Sequence, residues 1–330
     1  MKTRAVVFAA SEHVLVEELD VPPPGKNEIQ VRTTYSTISA GTESWRLRGL
    51  FTWAPTQFPS VPGYQRSGVV TAVGPEVTGW EVGDRVATLT GVFSTPGVNR
   101  QLGAHIEIGN TPLELAFHLP SSIDDVDASN LVVAQVGYNA ASRAQCKPGD
   151  WVVVYGDGLV GQSAAQAARA RDARVVLVGH RELRLELARR FSADATVNSA
   201  AGDLLAAVRE ITGSKTVPVV LDSVQTPNSQ KQYVDLLEPA SGQIVYNGFT
   251  PDDHWASMAL LQQRELTTHF VSGVRRDRLE ATLALMASGR MKSRPLTTHL
   301  VPFAEAPKMF QLVLQKSEPF LGITLDWRSA

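Results

Sequence analysis

At 330 residues, with 43% hydrophobic and 19% charged side chains, the chain has the length and composition of about two folded domains at roughly 150 residues each. Lysine and arginine total 31 against 33 acidic residues, so the summed field is near neutral, with no basic stripe for a phosphate backbone and no nucleic acid expected as partner. The one cysteine, Cys146, rules out an internal disulfide and a cysteine-rich zinc lobe, and no run nears the ~20 apolar residues of a membrane helix; a cytoplasmic protein without a membrane partner is expected.

The first ten residues hold an apolar run too short for the core of a signal peptide, with Glu12 and Glu17 close behind, and read as a first strand. Val21-Pro-Pro-Pro-Gly ends this region in a rigid turn. Short β-branched runs broken by glycine and proline follow, at Ile29–Tyr35, Ser67–Val73 and Asp84–Ala87, and predict a compact, mostly β domain over residues 1–125. Over residues 126–270 strands alternate with helices. Strand 151–155 precedes a helical run from Gly161 to Arg171, strand 174–178 and amphipathic segments 182–191 and 203–211, and further strands start at Pro218 and Gln243. This is the pattern of an α/β domain with a doubly wound parallel sheet. Residues 271–330 carry a helical run, Leu279–Ser288, and strands near Leu296 and Gly322 that are expected to return to the first domain and complete it.

Between strand 151–155 and the small-residue helix stands Gly156-Asp-Gly-Leu-Val-Gly161. Such a glycine spacing is common by itself; the strand before it and the helix after it make it a dinucleotide-binding signal. Gly156 makes the tight turn, Gly158 lets the backbone approach a pyrophosphate, Leu159 and Val160 open the helix whose positive end faces that group, and Gly161 permits close helix–strand packing. The second strand ends at Val178-Gly179-His180-Arg181, where an NAD-binding protein would place a carboxylate on the ribose hydroxyls, and none stands there. NADP(H) is therefore the expected cofactor, with Gly179 leaving room for a 2′-phosphate, Arg181 gripping it with a planar fork of donors and His180 assisting. Arg184 either assists as well or is a solvated arginine paired with a neighbouring glutamate. Ser223, Asn247 and Gly248, at two later strand ends, are expected to line the nicotinamide side.

Pro22-Pro-Pro-Gly-Lys-Asn-Glu-Ile, Ala40-Gly-Thr-Glu43, Val61-Pro-Gly-Tyr-Gln-Arg-Ser-Gly-Val-Val and Trp80-Glu-Val-Gly-Asp-Arg-Val, with the nucleotide motifs, give the chain a pattern that resembles the medium-chain dehydrogenase/reductase superfamily over nearly its whole length. The resemblance implies a GroES-like catalytic domain, a Rossmann cofactor domain, an active-site cleft between them, and a homodimer or homotetramer. Within the superfamily, Ser39-Ala-Gly-Thr-Glu with Val61-Pro-Gly-Tyr looks most like the zinc-free branch that includes bacteriochlorophyllide hydroxyethyl dehydrogenases. The cysteine, histidine and glutamate of the zinc-dependent motifs are replaced by Ala40, Tyr64 and Gln65, a further ligand position falls at Val132, and no metal is expected. Without a Lewis acid, a carbonyl must be polarised by hydrogen-bond donors. Tyr64 is the candidate donor, its alternative being a packed aromatic, and Thr42 holds the position whose hydroxyl relays the substrate proton in the family. Glu43 either orients protons beside Thr42 or forms a salt bridge to Arg46 or Arg66.

These readings lead to reversible hydride transfer between NADPH and a ketone or aldehyde, a small-molecule carbonyl/alcohol pair. Two alternatives remain open at this point: NADPH-dependent reduction of an enone or quinone C=C bond, and an NADPH-binding protein without turnover.

Overall fold

The computed structural model describes residues 1–252 and 254–328; the last two residues of the expected return segment lie outside the described residues. The chain divides into two compact units, Met1–Val132 joined by the segment from Thr297, and Val133–Leu296.

The first unit opens with β1 (Lys2–Ala10), β2 (His13–Asp20) and β3 (Glu28–Ile38), followed by α1 (Ala40–Leu47), β4 (Ser60–Val61), β5 (Arg66–Val73), β6 (Arg85–Thr88), β7 (Asn99–Arg100), β8 (Ile108–Pro112) and β9 (Ala116–His118), then α2 (Asp125–Ala128); α3 (Leu131–Arg143) starts at its end and belongs from Val133 onward to the second unit. The second unit runs β10 (Trp151–Tyr155), α4 (Leu159–Arg169), β11 (Arg174–Gly179), α5 (Glu182–Phe191), β12 (Ala195–Asn198), α6 (Leu204–Thr212), β13 (Val219–Asp222), α7 (Pro227–Tyr233), β14 (Gln243–Tyr246), α8 (Met258–Gln263), β15 (Thr267–Phe270) and α9 (Arg276–Ala287). The chain then rejoins the first unit with β16 (Thr297–Pro302), α10 (Ala306–Gln315) and β17 (Gly322–Asp326).

In the first unit one sheet has the order β2-β1-β4-β7 and a larger one β16-β17-β3-β5-β6-β9, with β8 also paired to β3. The returning strand β17 lies antiparallel to β3, from Ile323 opposite Ile38 to Asp326 opposite Tyr35, so the expected completion of this unit by the C-terminal strands is observed. Val6, Phe8, Ile38, Leu47, Phe310 and Leu325 meet in its main core, which fixes α1 against the strands and thereby aims the polar side chains at its start.

In the second unit all strand pairs are parallel and the order is β12-β11-β10-β13-β14-β15. Successive strands are laid outward first on one side of β10 and then on the other, the doubly wound arrangement, and the direction of winding reverses between β10 and β13. Val152, Val153 and Val154 are fully buried, as a strand covered on both faces requires. The small side chains Ala164, Ala165, Ala167 and Ala168 let α4 approach the sheet.

The limits of the units differ from those expected. The first extends to Val132 rather than to residue 125, and the return begins at Thr297 rather than at 271, because β15 adds a sixth strand to the parallel sheet and α9 belongs to the same unit. Strands β12 and β15, each four residues long at a sheet edge, carry no continuous apolar run and have no counterpart in the sequence reading. Among the described residues no helix is long and apolar enough to cross a membrane.

Candidate functional site

In the second unit the carboxyl ends of β10, β11, β13 and β14 carry every side chain that the sequence assigned to the cofactor. Gly156, directly after β10, has φ +124°, and a Cβ there would run into Ser223. Gly161 cannot carry a Cβ because the carbonyl of Gly156 occupies that space. Around Gly158 the space is open, and this residue is the N-cap of α4 without any side-chain cap, so among the described residues no side chain accepts from the first N–H groups of the helix, at Leu159 and Val160.

Beyond β11 the structure corrects two expectations. Gly179 does not leave room for a phosphate: a Cβ there would meet the Asp157 carboxylate, its Oδ2 at 2.6 Å. Asp157, only 4% exposed, instead accepts hydrogen bonds through Oδ2 from the amides of His180 (3.0 Å) and Arg181 (3.1 Å), and through Oδ1 pairs with the guanidinium groups of Arg181 (3.2 Å) and Arg184 (3.3 Å). Desolvation raises the Asp157 pKa, but the His180 amide, the charge of Arg184 and the amide and charge of Arg181 outweigh it, and the carboxyl titrates below its ordinary range. Arg184, its side chain 12% exposed, is thus a partner of Asp157 and not a solvated arginine paired with a glutamate. The sequence reading passed over Asp157 because it fills a variable position of the glycine motif.

Ser223, expected on the nicotinamide side, turns its hydroxyl to the Tyr155 carbonyl (3.1 Å) beneath the glycine turn. Buried Asp222 accepts the amides of Val224 (2.8 Å) and Gln225 (2.9 Å) through Oδ1 and the Tyr233 hydroxyl (2.6 Å) through Oδ2, which fixes the loop after β13. Here Gln225, which the sequence did not single out, keeps a buried Oε1 without a partner, and Asn247, 1% exposed after β14, has neither Oδ1 nor Nδ2 hydrogen bonded; Gly248 lies against Gln225. Buried amides without partners cost about 1–3 kcal/mol each, and a ligand at the strand ends would satisfy them. An open helix start, two arginines and unpartnered amides at the carboxyl edge of such a sheet fit a dinucleotide phosphate.

In the first unit, Thr42 and Glu43 stand on α1 and Tyr64 on the segment after β4, and all three line one cavity of about 340 Å3. The Tyr64 phenol is raised above its ordinary value, by desolvation first and by the Glu43 charge second, while hydrogen bonds with Ser39 and Thr42 and the charge of Arg46 pull it back. It therefore stays protonated at neutral pH and is a donor. Glu43 makes no salt bridge to Arg66. Its carboxylate folds back onto the Ser39 amide (2.7 Å) and faces His105 Nε2, 3.1 Å from Oε1 and 3.4 Å from Oε2. Behind the imidazole, His105 Nδ1 meets Ser36 Oγ at 2.8 Å, and Ser36 accepts the Trp327 indole N–H at 2.9 Å. With the Ser36 hydroxyl donating to Nδ1, His105 carries its proton on Nε2, toward Glu43. His105, fully buried, comes from a loop 62 residues along the chain from Glu43, and no local pattern announces it.

Arg66 points elsewhere. It is fully buried with no carboxylate partner among the described residues, donating to Thr88 (2.9 Å), Thr33 (2.9 Å) and Thr111 (3.0 Å) hydroxyls and to the Thr90 and Gly109 carbonyls (both 3.1 Å). Burial pushes its pKa down to about 9, still charged at neutral pH, so these neutral dipoles solvate a cation.

The residues at the positions that the resemblance assigns to zinc do not fit that ion. Ala40 offers no donor atom. Gln65, 1% exposed, accepts the Val132 amide (3.0 Å) with Oε1 and turns Nε2 to the Thr37 carbonyl (3.2 Å) and Asn130 Oδ1 (3.4 Å). Tyr64 is protonated and Val132 contributes a backbone N–H. No thiolate, imidazole or carboxylate remains in that set.

Comparison with known proteins shows that residues 25–112 match the Alcohol dehydrogenase GroES-like domain family and residues 160–288 the Zinc-binding dehydrogenase family. A sorbitol dehydrogenase of Halalkalibacterium halodurans is 26% identical over 95% of this chain and 96% of its own length. Among solved structures, a putative zinc-binding dehydrogenase from Sinorhizobium meliloti bound to NADP superposes with a TM-score of 0.85 at 21% identity, covering 99% of both chains. An alcohol dehydrogenase from E. coli CFT073 complexed with NADH superposes with a TM-score of 0.84 at 22% identity, over 98% of this chain and 99% of that one; both likenesses concern the fold.

Proposed function

Because the chain belongs to the medium-chain dehydrogenase/reductase superfamily, we propose that it is a zinc-independent, NADP(H)-dependent oxidoreductase that interconverts a carbonyl compound and its alcohol. Membership makes it an oxidoreductase using a nicotinamide cofactor on a small molecule; the phosphate preference and the zinc-free chemistry are our reading. The observation that carries it is Tyr64, a hydroxyl at a position that the resemblance assigns to a zinc ligand, with Thr42 beside it in a cavity whose acid, Glu43, is backed by His105.

When bound, the dinucleotide supplies or accepts a hydride. In the reductive direction the carbonyl carbon gains that hydride and the oxygen gains a proton. Tyr64 holds its proton at the phenol oxygen and donates a hydrogen bond to the substrate oxygen; an alkoxide is more basic than a phenolate, so the proton moves toward it as charge develops. Thr42 lines the same cavity as Tyr64 at the start of α1, and Glu43 stands beside it with its carboxylate held by the Ser39 amide and facing His105. In the second unit Arg181 and Arg184 supply two positive charges against the one negative charge of Asp157, leaving a net positive end to β11 for a 2′-phosphate. The lone Cys146 supports a cytoplasmic setting, and superfamily membership supports a homodimer or homotetramer.

The test is NADPH consumption by the purified protein with a ketone, an aldehyde and an enone, repeated with a chelator and accompanied by metal analysis. Carbonyl reduction that is insensitive to the chelator in metal-free protein is expected. Loss of activity on chelation would overturn the zinc-free reading, and turnover of the enone alone would move the chemistry to the C=C bond.

A further inference from the structure

The cavity that holds Tyr64 and Thr42 is unusual in its charges. Arg46 and Arg100 both line it, and among the described residues neither guanidinium has a carboxylate within ion-pair distance, whereas Arg4, Arg85, Arg184 and Arg328 each face one. The one acid in its lining is Glu43, whose carboxylate is directed to the Ser39 amide and His105. Arg46 follows Thr42 by four residues on α1, which sets both on one helix face, and it lies over the Phe51 ring at 5.5 Å, which restrains its stem. Its charge reaches the Tyr64 phenol. Amide side chains complete the lining: Gln101, from the residue after β7, donates to Ser60 Oγ (2.7 Å) and keeps a buried Oε1 without a partner, and Asn99 and Gln57 stand nearby. Two arginines without a carboxylate partner in one concave site beside the proton donor make a favourable seat for an anion.

We propose that the substrate carries an anionic group, a carboxylate or a phosphate, that Arg46 and Arg100 bind while its carbonyl is presented to Tyr64 and Thr42. The inference rests on the carbonyl-reductase reading and deepens it by naming the substrate class. At about 340 Å3 the cavity is at the small end for ligand sites, which suits a short oxo acid or a small phosphorylated carbonyl compound. The anionic group is an anchor and undergoes no bond change; the carbonyl alone takes up hydride and proton.

The experiment pairs charged and uncharged probes of similar shape: levulinate with levulinamide, and dihydroxyacetone phosphate with dihydroxyacetone, each as substrate for the purified enzyme with NADPH. A charged member favoured roughly tenfold to a hundredfold in kcat/KM is expected, and the preferred pair tells carboxylate from phosphate. Arg46→Gln should raise KM for the charged probe by a similar factor with NADPH affinity unchanged, and Arg46→Lys should restore part of the loss; Arg100→Gln, altered at an exposed side chain, gives a second readout if the first variant folds poorly. Equal kcat/KM within both pairs overturns the anion site while leaving carbonyl reduction standing. If no probe is turned over, the reduction reading fails for these compounds, and calorimetric titration of the NADPH-loaded protein with levulinate and dihydroxyacetone phosphate decides the inference: binding abolished by the arginine variants upholds it, and absent or arginine-independent binding overturns it.

Discussion

Replacing Arg181 with alanine tests the reading of the cofactor most directly. The guanidinium is 37% exposed and already shares Asp157 Oδ1 with Arg184, so it is neither fully desolvated nor free. A charge-assisted hydrogen bond contributes about 1.5–3 kcal/mol, and partial exposure together with the competing carboxylate places Arg181 in the lower half of that range. Removing it takes the local charge from net positive to balanced, since Arg184 and Asp157 then cancel. A loss of about 1.5–2 kcal/mol corresponds to roughly a 10- to 30-fold weaker Kd for NADPH. NADH, which lacks the 2′-phosphate, should weaken less than about threefold by the same arithmetic. Fluorescence titration of both cofactors against wild type and variant measures the difference, and the preference should shrink as salt is added because the arginine is partly exposed. Equal weakening of the two cofactors, or a wild-type protein that binds NADH as tightly as NADPH, would refute the assignment.

Other outcomes follow from the same structure. Tyr64→Phe should lower kcat by about 10²–10⁴-fold with NADPH affinity unchanged, measured by steady-state kinetics and titration; unaltered kcat would return Tyr64 to packing. Gly179→Ala should force Asp157 from its seat against the His180 and Arg181 amides and destabilise the fold by about 2–4 kcal/mol, read from denaturant midpoints, whereas a change within about 0.5 kcal/mol would mean the carboxylate is not held as described. Because the folded pKa of Asp157 lies below its unfolded value of about 3.9, its stabilisation is complete above that pH and is lost as acid carries the pH down through the folded value. Asp157→Asn should therefore flatten the fall in stability with acid below about pH 4, and an unchanged acid limb would remove Asp157 from that role.

How much of this was legible depended on the distance along the chain between the parts. The glycine turn was readable because strand 151–155, the turn and α4 are contiguous, and spacing alone carries their geometry. Gly156 and Gly161 do what their positions implied. Gly179 was misread for the same reason in reverse: an absent side chain at the end of β11 looked like room for a ligand, when the space belongs to Asp157 from the neighbouring turn. A sequence shows that a side chain is missing but not what fills the gap. Likewise Glu43 offered nearby arginines as partners, and the partner is His105, brought in by strand pairing 62 positions away. The edge strands β12 and β15 escaped notice because a half-exposed strand needs no apolar run.

At the positions that the resemblance assigns to zinc, Gln65 is fully engaged by the protein, and this coherence supports the proposed zinc-free site. Gln65 makes three hydrogen bonds to Val132, Thr37 and Asn130 using both its donor and its acceptor ends. A glutamate in its place would keep the Val132 contact but set its second oxygen against the Thr37 carbonyl and Asn130 Oδ1, three acceptors with no donor between them. The glutamine that removes a metal ligand is therefore the residue the surrounding backbone requires. Tyr64 stands beside Thr42 in the same cavity, and the Glu43 carboxylate, whose charge helps raise the Tyr64 pKa, accepts the Ser39 amide and faces His105. Random loss of ligands would leave buried polar atoms stranded around the gap. Around Gln65 the released positions are instead satisfied by the protein, and three residues with unpartnered buried atoms, Gln225, Asn247 and Gln101, stand at the strand ends of the second unit and in the cavity beside Tyr64, where a ligand would complete them. That arrangement supports the proposed reading, in which hydroxyls and guanidinium groups do the polar work.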